Sequence, residues 1–168
     1  MLLSVCLLVA ACSKNKDTPM RQLPSLTTEG KNVMGCYIND ELQIFEGEYF
    51  TFSEWGVKFT YDEASEKSSL RGGPKNADAQ SGLDGDIYLE VYTPMLKADT
   101  VYRSFLPSLF GVYEIGGKDY HVEPDDDFNF IAFARIDSEV AAGLFQFRAY
   151  SNSGDSVYIT HGRFDIAR

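Results

Sequence analysis

The chain has 168 residues, with 25 acidic against 15 basic side chains and a formal net charge of −10. At roughly 150 residues per domain this is the length of one domain, enough to bury most of its apolar surface. The acidic balance argues against a nucleic-acid partner, whose phosphates it repels, and against adhesion to an anionic membrane through the protein's own surface.

The first stretch, 2–11, is apolar apart from Ser4 and closes on Val9-Ala10-Ala11 before Cys12. A stretch of about ten residues is too short to span a bilayer, which takes roughly 20. The form is that of a signal segment with small residues at its cleavage site, and Val9-Ala10-Ala11-Cys12 resembles a bacterial lipobox. That resemblance implies a thioether-linked diacylglycerol on Cys12, cleavage before it, and a mature chain held at the cell envelope, with the outer membrane as the expected location. The first lysine is Lys14, so the basic start of the signal is expected upstream of Met1. Of the three cysteines, Cys6 goes with the signal and Cys12 takes lipid. Only Cys36 is left for the domain, so no disulfide is expected within it; in its apolar run it reads as a small buried hydrophobe.

Residues 13–31 hold two prolines, many polar side chains and no apolar period, which reads as a flexible tether. Its reach is on the order of 25 Å. Four basic against two acidic residues give it +2, which leaves −12 on the rest. The Lys14-Asn15-Lys16-Asp17 run partly resembles surface-export signals of Bacteroidetes-type lipoproteins, so either membrane face is open. The expected organisation is a signal over 1–11, a lipidated cysteine and tether over 12–31, and one domain over 32–168.

Within the domain, apolar runs at 33–38 and 41–45 flank Asn39-Asp40, which suits the positive φ values of a type I′ hairpin. A second pair, 49–52 and 57–61, surrounds Ser53-Glu54-Trp55-Gly56; Val57, Phe59 and Tyr61 alternate with polar residues at the period of a half-buried strand. Residues 62–84 are rich in Ser, Gly, Asp and Lys and read as one long surface loop. The clearest strand is 86–93, with Ile87, Leu89 and Val91 on one face and Asp86, Tyr88, Glu90 and Tyr92 on the other. Residues 94–98 read as a helical turn or loop. Runs at 100–105, 109–115 and 118–122 follow, the last two joined by Gly116-Gly117 as a hairpin. An acidic turn over 123–127 leads to strands at 128–136 and 144–150. Beyond a turn at 152–155 the apolar phase is odd through Ile159 and even from Phe164, and the change at Gly162 predicts a β-bulge. No segment holds a helical period over three turns. The expected fold is all-β, an antiparallel sandwich or barrel of nine to eleven short strands with little helix.

Both ends of the domain carry further motifs. Leu23-Pro24, then Thr27-Thr28-Glu29-Gly30-Lys31-Asn32 and Gly35-Cys36 at the start, and Ile159-Thr160-His161-Gly162-Arg163-Phe164-Asp165-Ile166 at the end, are similar to the opening and closing segments of a family of small Bacteroidetes lipoproteins of unknown function. Asn39-Asp40 stands where that pattern has Asn-Gly, and the middle of the chain matches hardly at all. The resemblance implies a lipoprotein with an all-β fold and brings no activity with it.

Catalytic signals are sparse. The two histidines, His121 and His161, lie far apart in sequence, and there is no Gly-x-Ser-x-Gly elbow for a serine nucleophile. No zinc motif occurs, and Asp125-Asp126-Asp127 and Asp84-Gly85-Asp86 fit no EF-hand loop and read as solvated turns. The expectation is a domain that is no enzyme and carries no cofactor or metal. Trp55, Tyr88 and Tyr92 are the candidate ligand-binding residues, because aromatics on a sheet face can stack on a ring or line an apolar pocket; packing under a covering loop is the other use of such residues. The readings left open are a binding module for a glycan, lipid or peptide and an accessory or inhibitory subunit meeting an envelope protein.

Overall fold

In the computed structural model the described residues are 22–47, 56–73, 85–103, 109–123 and 126–168. They form eleven strands: β1 Val33–Ile38, β2 Glu41–Glu46, β3 Gly56–Asp62, β4 Lys67–Gly73, β5 Gly85–Tyr92, β6 Thr100–Arg103, β7 Leu109–Ile115, β8 Lys118–Val122, β9 Phe130–Ile136, β10 Val140–Ser151 and β11 Ser156–Ala167. There is no helix among the described residues. The paired order is β2-β1-β11-β10-β8-β7-β5-β4-β3, all antiparallel, with β9 and then β6 branching from β10. The sheet curls into a nearly closed, barrel-like shape. Val57 N donates to Gly47 O at 3.0 Å, which ties the start of β3 to the end of β2 and leaves less open edge.

The turns follow from their residues. Asn39 and Asp40 have φ of 47° and 69°, and Gly116 and Gly117 of 57° and 75°, the left-handed pair a type I′ hairpin needs. The predicted bulge is present in β11: between partners Phe145/Phe147 on β10 the facing residues run from Gly162 to Ile159, one residue too many. The extra residue brings His161 to φ 54°, and the buried phase passes from Val157 and Ile159 to Phe164 and Ile166.

Two strand assignments need correction. Residues 62–84 are not one loop, because β4 occupies 67–73 and pairs with both β3 and β5. Its inward positions are Ser68, Leu70 and Gly72, so only one large apolar side chain marks its buried face. At Gly72 the Met34 Cε fills the place a Cβ would take, so any larger residue there would have to displace the end of that side chain. Likewise β10 starts at Val140 rather than 144, and with β11 it makes a pair of twelve-residue strands. It opens on the small residues Ala141, Ala142 and Gly143, and at the irregularity in its pairing with β9 between Ala142 and Gly143 the Ala132 carbonyl occupies the Cβ position of Gly143. The predicted strand at 49–52 lies outside the described residues.

The core centres on Phe133. Its ring meets Phe59 of β3, Tyr102 of β6 and Phe164 of β11 edge-on at 5.8, 5.9 and 5.6 Å, an aromatic geometry that adds about 0.5–1.5 kcal/mol per pair beyond burial. Ile131 and Phe133 are therefore the inward face of β9, while Phe130 turns outward under Arg103. Cys36 is a free, fully buried cysteine, and burial pushes its thiol pKa up, so it packs as an apolar group.

The two terminal motifs meet. Asp165 points outward from β11 yet is only 2% exposed, because residues 24–31 run across the outer face of β1 and β11. Its carboxylate accepts from Thr27 Oγ1 at 2.5 Å, Gly30 N at 2.7 Å and Glu29 N at 3.2 Å. Arg163 Nη1 donates to Pro24 O at 3.0 Å, and Ala167 N to Asn32 Oδ1 at 3.0 Å. Burial alone would raise the Asp165 pKa; the Thr27 hydroxyl and the strap's amides outweigh it and hold it below the ordinary value.

Candidate functional site

The outward face of β3, β4 and β5 is polar by alternation. Register sets Lys67 opposite Tyr92, Ser69 opposite Glu90 and Arg71 opposite Tyr88 on β4 and β5, with Thr60 of β3 beside Ser69. Glu90 is 6% exposed on this outward face. The reason is local: Tyr88 and Tyr92 flank it two residues away on either side, the spacing that returns a strand to the same face.

Both phenols end on that carboxylate. Tyr88 donates to Glu90 Oε1, and Tyr92 donates to Oε2 at 2.5 Å. Lys67 Nζ reaches Oε1 at 2.9 Å. An unpaired buried carboxylate is strongly unfavourable; this one has three partners. Burial pushes the Glu90 pKa up, but the two hydroxyls and the ammonium outweigh it and hold it below its ordinary value. The same contacts raise the others: Lys67 through its bond to Glu90, Tyr88 through burial and then that bond, and Tyr92 through the bond. Beside this group Arg71 Nη2 meets Asp86 Oδ2 at 2.5 Å, and the hydroxyls of Thr60 and Ser69 lie 2.6 Å apart.

Of the candidate residues, Tyr88 and Tyr92 are thus joined by one carboxylate, and Tyr92 keeps 41% exposure. Trp55 and Cys12 lie outside the described residues. Sequence reasoning put Glu90 on the right face without making it the hub, and it missed Lys67 and Arg71 because their strand read as loop. The readable signal was the alternation of Lys67, Ser69 and Arg71 with Ser68, Leu70 and Gly72.

Asp86 and Asp126, two of the acids weighed for calcium, have other partners. Asp86 pairs with Arg71. Asp126 accepts from Arg148 Nε at 2.8 Å and Nη2 at 2.5 Å, and from Phe128 N at 3.0 Å. Next to it the fully buried Asn129 donates to Glu123 O at 3.0 Å and accepts from Arg148 N at 2.7 Å. Arg148 also lies over the rings of Tyr150 and Tyr158 at 5.4 and 5.6 Å. These contacts fasten the acidic turn to β10, a structural use.

No protein family's model matches the chain, and no curated protein or solved structure matches it.

Proposed function

We propose that this chain is a lipid-anchored domain of the bacterial cell envelope, held at the outer membrane through Cys12, that acts as a non-catalytic binding module for a glycan, lipid or peptide, with the outer face of β4 and β5 as its binding surface. The observation that carries the surface is the Tyr88–Glu90–Tyr92 group with Lys67. Here a buried carboxylate at an outward strand position is held by side chains alone and fixes two aromatic rings on an accessible face, and rings fixed in advance lose little freedom on binding.

A thermal-shift screen of the full chain in detergent against oligosaccharides, fatty acids and peptides tests the surface. A ligand at a hundred times its dissociation constant stabilises by ~2.7 kcal/mol, a rise of roughly 5–10 °C for this size. The anchor is tested separately: Cys12→Ala is expected to end fatty-acid labelling and to move the protein from the membrane to the soluble fraction. Retained labelling contradicts the anchor.

One observation favours a second reading, an accessory subunit acting through a protein interface. Among the described ladders β6 pairs with β9 alone, and Val101 on it is 52% exposed, so its outer edge could take a partner's strand. Cross-linking from Val101 in intact cells separates the two readings.

A further inference from the structure

Building on the binding surface proposed above, we infer that its ligand is an uncharged glycan chain lying along β5. Three features of the face lead there.

The first is how the rings lie. Tyr88 and Tyr92 are four residues apart, so their Cα atoms are roughly 13 Å apart along the strand. Side chains on a sheet stand about perpendicular to it. These two both end on Glu90 between them, so each leans along the strand toward the other. Tyr92 keeps 41% exposure and Tyr88 is half-buried, so ring surface is accessible at both, and the face of such a ring is electron-rich. The C–H groups of a pyranose carry partial positive charge and stack on such a face. Two faces in a row along one strand suit a chain of sugars rather than a single ring.

The second is charge. Lys67 is paired with Glu90 and Arg71 with Asp86, so the face is locally neutral although the chain as a whole is strongly acidic. An ionic ligand finds no uncompensated charge among these four residues. Sugar hydroxyls need none. The Lys67 ammonium has three donors, and Glu90 takes one of them; the Tyr92 phenol oxygen, already donating, can still accept.

The third is what the face cannot do. β5 is paired on both sides, to β4 and to β7, so no peptide can add to it as a strand. Among the described residues the outward side chains of β4 and β5 are tyrosines and polar or charged groups, and Val112 of β7, opposite Tyr88, is a small apolar surface for an acyl chain.

The test is a titration of the full chain in detergent, labelled with 13C-tyrosine, with cellohexaose, xylohexaose and mannohexaose as neutral probes and oligogalacturonate as the anionic one. The expected result is saturable movement of the Tyr88 and Tyr92 ring signals with at least one neutral probe. Tyr92→Ala, at an exposed position, is expected to fold normally and to weaken that binding at least tenfold. Tyr92→Phe keeps the ring but frees it from Glu90, and a loss of about threefold is expected. Movement of these rings by oligogalacturonate alone overturns the uncharged class and keeps the surface. Movement by a peptide or fatty acid and by no sugar overturns the glycan and also keeps the surface. If ligands that raise the melting temperature leave both rings unmoved, the surface and the glycan inference fall together.

Discussion

Two carboxylates sit at outward positions of this barrel and both are covered, Asp165 on β11 and Glu90 on β5. Their covers differ. Asp165 is closed over by the chain itself, with backbone amides of Glu29 and Gly30 and the hydroxyl of Thr27 as donors. Glu90 is closed over by the tips of three long side chains. Backbone donors cannot leave without unwinding the strap, whereas the side-chain tips hold only their own rings and leave them accessible. The same chemistry thus makes a latch in one place and a pair of positioned rings in the other. The latch also accounts for the two terminal motifs, whose residues are used on each other.

The largest expected effect breaks the latch. Asp165→Ala leaves three donors of the strap without their acceptor, and a loss of about 3 kcal/mol in denaturant unfolding is expected from charge-assisted bonds of this kind. Acid should act in the same direction. The Asp165 pKa is lowered in the folded chain from an ordinary value of 3.8, so its contribution is complete above that value and is lost as pH falls through the lower, folded one. Asp165→Asn should flatten the fall in stability in that acidic range; an unchanged acid profile would contradict the latch.

A smaller effect is expected at the other carboxylate. Glu90→Ala frees Tyr88, Tyr92 and Lys67, all of which can reach water, and a loss of about 1 kcal/mol or less should follow. A loss as large as that of Asp165→Ala would mean that the Glu90 group is a second latch and that the contrast between the two faces is false.

Much of this barrel is legible in the residues themselves. The alternation of Val57 to Tyr61 and of Asp86 to Tyr92, the Asn39-Asp40 and Gly116-Gly117 turns, and the phase change beside Gly162 each depend on contacts within a few residues. What escapes such reading depends on distant neighbours. β4 is inconspicuous because Leu70 is its one large inward side chain, between Ser68 and a Gly72 that lies beneath Met34 and Phe45. The start of β10 escapes because Gly143 is set by the Ala132 carbonyl of its partner β9. The bond from Thr27 to Asp165 joins residues 138 positions apart, which no spacing rule reaches. The site falls between: Tyr88, Glu90 and Tyr92 show their shared face by period alone, while Lys67 joins them only once β4 is known to be a strand.

The most direct test of the central contrast is to run the thermal-shift screen on the native chain and on Glu90→Ala side by side. The account predicts that a ligand raising the melting temperature of the native chain by roughly 5–10 °C raises that of the variant by about half as much, because the rings it binds are no longer held. An equal rise in both proteins would contradict it and place the ligand elsewhere on the barrel.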